Sequence, residues 1–153
     1  MAIAWFVDGS YIRKIWSNAF YDYNTHAASK NLDWLKLRLY IEQQFADRIE
    51  DAYFFDADPD PPTAQRNAFH NWLSYMPPAG PGLRVKLYWL QHKDLFWPRS
   101  MGGEAVTHPV TGARYRQTQQ KAVDVGLAFH LTRSYSKRRW PNLALCAGAS
   151  AGS

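Results

Sequence analysis

A short apolar run at the start of the chain, ended abruptly by polar residues, constrains the fold most. Residues 2–7 are apolar, and Asp8, Gly9 and Ser10 follow at once. A continuous apolar run of this length is typical of a strand buried on both faces, as in a parallel sheet. The sequence therefore predicts a buried first strand with a carboxylate, Asp8, where the strand leaves the sheet.

Similar strands recur along the chain, separated by segments with helical spacing. Further strands are predicted over Ala52–Phe55, Val85–Trp89 and Leu143–Ala147, and helices over 33–47, 63–75 and from about Gln117. In the last helix Val123, Leu127 and Leu131 share one face. This order predicts one α/β domain over residues 1–153, with a parallel sheet and helices on both faces. Gly-Gly, His-Pro and Thr-Gly pairs predict a loop or small hairpin inserted at about 92–117.

Charge is distributed unevenly between the two parts of the chain. Residues 1–60 carry six Lys or Arg and ten Asp or Glu, whereas residues 61–153 carry twelve and three, giving nets of −4 and +9. A basic second part is compatible with a surface that faces phosphates, and equally with scattered solvated charge. The chain has one cysteine, and it shows no signal peptide or apolar run of the roughly 20 residues that a membrane helix needs. We expect a cytoplasmic protein without membrane contact.

Acidic residues are predicted to gather at the carboxyl edge of the sheet. Asp8, Asp56 and Asp58 follow predicted strands, and Asp124 lies in the last helix three residues after Lys121. A surface ion pair between Lys121 and Asp124 is one interpretation, since residues three apart share a helix face. The other is that carboxylates converging without matching cations bind a hard cation such as Mg²⁺ or Mn²⁺. Such a site is typical of metal-assisted phosphodiester chemistry.

Four blocks of the sequence, taken in order, resemble the NYN domain, the LabA-like branch of the PIN-like nucleases: FVDGSY, YFFDADPD, RYRQTQQKAVDVGLAFHL and LALCAGASAGS. The resemblance implies a PIN-like Rossmannoid three-layer sandwich that cleaves RNA with Mg²⁺ or Mn²⁺ and water as the nucleophile. It implies that Asp8 and Asp124 are metal ligands and that Lys121 contacts a phosphate. Asp56 and Asp58 match the acidic end of the second strand, where they either support the metal site or only make the turn.

The chain departs from the family pattern at its end and at its first motif. Family members usually follow the fourth strand with G-D-x-D, whereas Ala149 and Ala151 stand at the two aspartate positions here. The alanines are interpreted as removed metal ligands, with a naturally decayed site or a linker as alternatives. The family's fifth strand and last helix are missing, so a C-terminally truncated domain is expected. Ser10 and Tyr11 follow the D-G pair where Asn is common, and the Tyr11 hydroxyl is a candidate substitute.

RNA, single-stranded or structured like a tRNA, is the predicted partner, and a homodimer is possible. Arg114 and Arg116, two apart in the predicted second strand of the hairpin, should point the same way and are candidate phosphate ligands. The five histidines show no pair at metal-ligand spacing on one element, which argues against zinc. We therefore expect a metal-dependent ribonuclease domain that is catalytically disabled in this chain. The alternatives are a non-catalytic RNA-binding or adaptor module and a flavodoxin-like or receiver-like domain.

Overall fold

The structure is a computed structural model that describes residues 2–58, 61–119, 123–136 and 142–146. Its β-strands are β1 (Ala2–Asp8), β2 (Tyr21–Asp22), β3 (Ala27–Ala28), β4 (Arg48–Asp58), β5 (Arg84–Trp89), β6 (Gln91–Asp94), β7 (Arg116–Gln119) and β8 (Asn142–Cys146). Its helices are α1 (Gly9–Ala19), α2 (Trp34–Phe45), α3 (Ala64–Ser74) and α4 (Val123–Ser136), with one 3₁₀ turn, Arg99–Met101.

The central sheet has four parallel strands in the order β5-β4-β1-β8. This confirms the predicted α/β class with a parallel sheet, and the arrangement is compatible with a Rossmann-like sandwich. β1 lies between β4 and β8, and residues 3–7 are fully buried. The continuous apolar run at the start of the chain thus has its expected cause, because a strand covered on both faces cannot alternate apolar with polar residues.

Each face of the sheet packs against its own helices. Ile3, Trp5 and Val7 point to one face, where they meet residues of α2 and α3. Ala4 and Phe6 point to the other face, which α4 covers with Val123 and Leu127. Leu131 packs against the same cluster, so the predicted apolar face of the last helix is confirmed.

The helix boundaries follow from capping residues. Asp33 accepts a hydrogen bond from the Lys36 amide at the start of α2, as expected for an acidic cap. Thr63 does the same for the Arg66 amide at the start of α3. The predicted start of the last helix at Gln117 is wrong, because Gln117 pairs with Lys93 in the β6–β7 ladder.

Helix α1 has no counterpart in the sequence prediction. It begins directly after β1, and Asp8 is its N-cap. A Cβ at Gly9 would collide with the Phe54 ring and would lie 3.0 Å from the Phe55 carbonyl oxygen. Only glycine lets the chain turn from β1 into α1 at this close approach to β4, which explains the Asp-Gly pair.

Residues 91–119 form a separate antiparallel hairpin. β6 pairs with β7, and bridges between Phe96 and Ala105 and between Thr107 and Arg114 continue the pairing. This hairpin therefore stands beside the central sheet rather than within it. Among the described residues, no helix has the length and apolar character needed to cross a membrane.

Candidate functional site

The carboxyl ends of β1 and β4 bring three acidic residues to one edge of the sheet. Asp8 ends β1 and is level with Phe55 of β4, while Asp56 and Asp58 follow Phe55 at the end of β4. All three residues are buried: the exposed fraction is 5% for Asp8 and 1% for Asp56 and Asp58. Ligands of open parallel sheets gather at this edge, which makes it the first place to look for a site.

Asp8 is held by the helix that it starts. Its Oδ1 accepts hydrogen bonds from the Ser10 amide at 3.0 Å, the Ser10 hydroxyl at 3.0 Å and the Tyr11 amide at 3.1 Å. Ser10 therefore supports Asp8 directly, whereas Tyr11 contributes its backbone rather than its hydroxyl. Because all three donors use Oδ1, Asp8 is oriented with Oδ2 left without a hydrogen bond among the described residues.

Asp124 lies in the first described turn of α4 and is exposed. Gly126, two residues later, packs directly against Tyr88, which is level with Ala57 near the carboxyl end of β4. His130, one turn further, contacts the Tyr53 ring at 5.4 Å, well back along β4. Helix α4 therefore starts near the carboxyl edge and runs away from it, which places Asp124 at the same edge as Asp8. Lys121, Ala149 and Ala151 lie outside the described residues.

Asp56 is the centre of a buried ionic cluster. Arg13 of α1 donates to both of its carboxylate oxygens, at 2.8 and 2.6 Å. From α3, Arg66 reaches Asp56 Oδ2 at 3.1 Å, and His70 Nε2 lies 3.1 Å from the same oxygen. Two helices are thus tied to the end of β4 through one carboxylate. Burial raises the pKa of Asp56, but hydrogen bonds and charge from Arg13, His70 and Arg66 outweigh it, so the pKa lies below its ordinary value.

Asp58 joins the cluster through the same helix. Arg66 Nε donates to Asp58 Oδ1 at 2.5 Å. His70 Nδ1 lies 3.5 Å from Asp58 Oδ2, and neither of these buried atoms has a hydrogen-bond partner among the described residues. Asp56, Asp58 and His70 form a buried group that has the geometry to hold a metal ion. A divalent ion there would share the carboxylates with two guanidinium groups, which already balance both negative charges.

The acidic residues at this edge do not converge as the sequence analysis expected. By strand alternation Asp8 belongs to the face of Ala4 and Phe6, whereas Asp56 belongs to the face of Phe54, which packs with α2 and α3. Cations from α1 and α3 neutralise Asp56 and Asp58. The repulsion that was expected to recruit a metal is therefore absent between Asp56 and Asp58.

The two arginines predicted to contact RNA point the same way, as their spacing indicated. Arg114 Nη1 and Arg116 Nε each lie 3.0 Å from a carboxylate oxygen of Asp94 on β6. Their side chains remain 61% and 64% exposed. The hydrogen bond from Arg114 and the adjacent Arg116 charge lower the pKa of Asp94. Both arginines are therefore available to solvent, but each is already paired.

Three residues of the ionic cluster were missed by the sequence analysis. Arg13 lies on the unpredicted helix α1, and Arg66 and His70 are four apart on α3, so both face the end of β4. The argument against zinc considered only histidine pairs on one element, whereas His70 joins two aspartates from another element. The Arg-x-x-x-His spacing just after the D-A-D strand end was the available signal.

Comparison with protein-family models, with curated proteins and with solved structures finds no match to this chain.

Proposed function

We propose that this chain is a PIN-like domain of the NYN type, with a ribonuclease site at the carboxyl edge that is disabled by Ala149 and Ala151. One observation carries the proposal. Asp8 ends the central strand with no described donor on its second carboxylate oxygen, and Asp124 is exposed in the first described turn of the helix that starts at the same edge. These are the two positions that the resemblance assigns to metal ligands.

The side chains at these positions fit a weakly held Mg²⁺ or Mn²⁺. Both ions prefer oxygen ligands, and Mg²⁺ is commonly held by one or two carboxylates together with waters and substrate phosphates. Three donors orient Asp8. Among the described residues, Asp124 makes no side-chain hydrogen bond or ion pair. When bound, the ion would activate water for attack on a phosphodiester and stabilise the leaving oxygen. The residues of this chain orient Asp8, keep its second oxygen open and supply basic side chains for the RNA backbone.

A non-catalytic RNA-binding module is the second candidate, and the ionic cluster favours it. Arg13, Arg66 and His70 already contact the Asp56 carboxylate, and Arg66 is paired with Asp58, so these two acids are poorly placed to replace the carboxylates missing at 149 and 151. With only two acids left, the chain as it stands is expected to bind RNA and to cleave it very slowly. The two candidates differ in what happens when the carboxylates are restored.

The test compares this chain with an Ala149→Asp/Ala151→Asp variant on labelled single-stranded RNA and on a tRNA pool, with Mg²⁺, Mn²⁺ or EDTA. We expect metal-dependent cleavage by the restored variant at a rate at least roughly 100-fold above that of the chain itself. Adding Asp124→Asn or Asp8→Asn should abolish that gain. Asp8→Asn is informative because Asn caps helices about as well as Asp, so α1 keeps its cap while the charge is lost.

The matched control is Asp33→Asn, which makes the same change at the N-cap of α2, a helix that packs on the face of the sheet opposite Asp8, and should leave cleavage unchanged. Circular dichroism establishes that each variant is folded. If the folded restored variant binds RNA but does not cut it, the ribonuclease proposal fails and the binding module replaces it. If it neither binds nor cuts RNA, both candidates fail.

A further inference from the structure

A cavity of about 600 Å³ opens on the side of the domain that carries α1 and α3. It lies between α1, the segment that joins β3 to α2, and α3. Its principal lining residues are Arg13, Trp16, Lys30, Trp34, Phe69 and Trp72. This volume is in the range of sites for small organic ligands, and the proposed cleavage site makes no use of it.

The aromatic walls are held in place before any ligand binds. Trp16 Nε1 donates to the Lys30 carbonyl oxygen at 2.6 Å, which joins α1 to the opposite rim. Phe69 packs against Trp34 at 6.3 Å and against Trp72 at 6.2 Å between ring centroids. Three tryptophans and a phenylalanine therefore line the cavity, and contacts with one another or with the opposite rim hold their rings in place.

The charged groups at the cavity are cationic. Arg13 is fixed by its two hydrogen bonds to Asp56, yet its side chain is 41% exposed. The Lys30 ammonium lies 5.6 Å from the centroid of the Phe20 ring. Among the described residues that line the cavity there is no carboxylate, while Ser17 and Asn31 add hydrogen-bonding groups. Flat aromatic walls with cations at the rim complement a ligand that joins a planar ring to an anion.

We infer that this cavity binds a single nucleotide, with its base against the tryptophan rings and its phosphate at Lys30 and Arg13. Stacking on aromatic side chains tolerates any base, so the site should discriminate by the phosphate more than by base identity. The nucleotide is either free or the terminal residue of an RNA chain. The inference does not depend on cleavage at the carboxyl edge.

The experiment titrates the full chain in EDTA with AMP, UMP, adenosine and uridine, followed by tryptophan fluorescence and by calorimetry. We expect both nucleotides to bind and to quench fluorescence, and each nucleoside to bind roughly 10-fold more weakly because it lacks the phosphate. Lys30→Ala should weaken nucleotide binding by about 10-fold and leave nucleoside binding unchanged. Lys36→Ala is the matched control, because Lys36 is 85% exposed on α2 and does not line the cavity.

Trp72→Leu should weaken nucleotides and nucleosides equally, by about 10-fold, through lost stacking. Trp89→Leu changes an exposed tryptophan on β5 outside the cavity and should change neither. Oligonucleotides with and without a terminal phosphate then distinguish a free nucleotide from the terminal residue of an RNA chain. Preference for the phosphorylated oligonucleotide over AMP identifies an RNA end, and the reverse identifies a free nucleotide.

Absence of AMP and UMP binding at millimolar concentration by the folded chain would overturn the inference. So would binding that Lys30→Ala and Trp72→Leu leave unchanged, since the ligand would then lie elsewhere. Because these titrations contain no metal and measure no cleavage, their failure is distinct from failure of the ribonuclease proposal.

Discussion

At the scale of single residues, Asp56 shows that a local sequence motif predicts where a side chain lies but not which residues it contacts. The sequence placed Asp56 and Asp58 correctly at the end of a strand, because an apolar run gives way there to acids and prolines. It could not supply their partners, since Arg13 and Asp56 are 43 residues apart and Arg13 lies on an unpredicted helix. Local patterns identify where a side chain leaves an element, but tertiary packing decides which charges meet it.

Replacing Asp56 should destabilise the fold strongly. Asp56→Asn keeps the shape of the side chain but leaves two guanidinium groups facing an uncharged amide in a buried position. Removing one partner of a buried ion pair costs roughly 3–5 kcal/mol, and we expect the lower end, because the Arg13 and Arg66 side chains are 41% and 32% exposed. Urea denaturation measures the change in unfolding free energy.

Asp94→Asn is the matched control, because Asp94 also pairs with two arginines, but it is only half-buried and both arginines are exposed. Its effect on the unfolding free energy should be much smaller. Equal effects of the two substitutions would show that the cluster around Asp56 does not hold α1 and α3 to the sheet.

At the scale of elements, the four strands of the central sheet and three helices were predictable, but the β2–β3 pair and two helix starts were not. The run from Gly9 to Ala19 contains Ile12 and Trp16 at helical spacing, and Asp8 caps it. The sequence analysis assigned Asp8 only to the strand, whereas it also begins the helix. The segment at Gln117 resembles a helix start in composition, yet pairing with β6 takes it into the hairpin. Neighbours distant in sequence override local propensity at both places.

The packing of α4 on the sheet should make stability depend on pH through His130. This side chain contacts the rings of Tyr53 and Phe55 at 5.4 and 5.5 Å. Burial, together with the nearby Lys86 and Arg133 charges, lowers the pKa of His130 below its ordinary value. The unfolded chain then binds a proton at a higher pH than the folded chain does. Stability is therefore fully present above about pH 6.5 and falls as the pH drops from there toward the lowered pKa.

His130→Gln should remove this contribution while keeping a neutral polar side chain. The free energy of unfolding at pH 7.5 and at pH 5.5, compared between the chain and the variant, isolates the effect from other titrating groups. We expect the chain to lose more stability than the variant over this interval. An identical loss in both would show that His130 is protonated equally well in the folded chain.

At the scale of the whole molecule, the order of strands and helices predicts the class of fold. The function within that class depends on the chemistry of particular side chains. Alternating apolar strands and amphipathic helices admit few arrangements other than a parallel sheet covered on both faces. The same sheet serves many unrelated functions, so the nuclease proposal depends on Asp8, Asp124 and the basic side chains rather than on the fold. Residues 61–153 carry an excess of positive charge. Whether this charge contacts RNA can be tested through the salt dependence of RNA binding.

If RNA binds along the hairpin, Asp94 competes with it for Arg114 and Arg116. Asp94→Asn removes the carboxylate that both arginines now contact at 3.0 Å and frees two exposed cations for phosphates. We expect tighter RNA binding at low salt and a steeper fall of affinity with salt. Each added phosphate contact on a single strand changes the slope of log K against log salt by about 0.7, so two contacts add about 1.4.

Fluorescence anisotropy with labelled single-stranded RNA, from 50 to 300 mM salt, measures this slope. Adding Arg114→Ala and Arg116→Ala to Asp94→Asn should return the slope to or below that of the unchanged chain. An unchanged slope in Asp94→Asn would mean that phosphates do not reach the hairpin and that RNA, if bound, lies elsewhere on the basic part of the chain. Because the electrostatic share of nucleic-acid binding scales with the number of contacts, the slope locates the interface even where affinity changes are small.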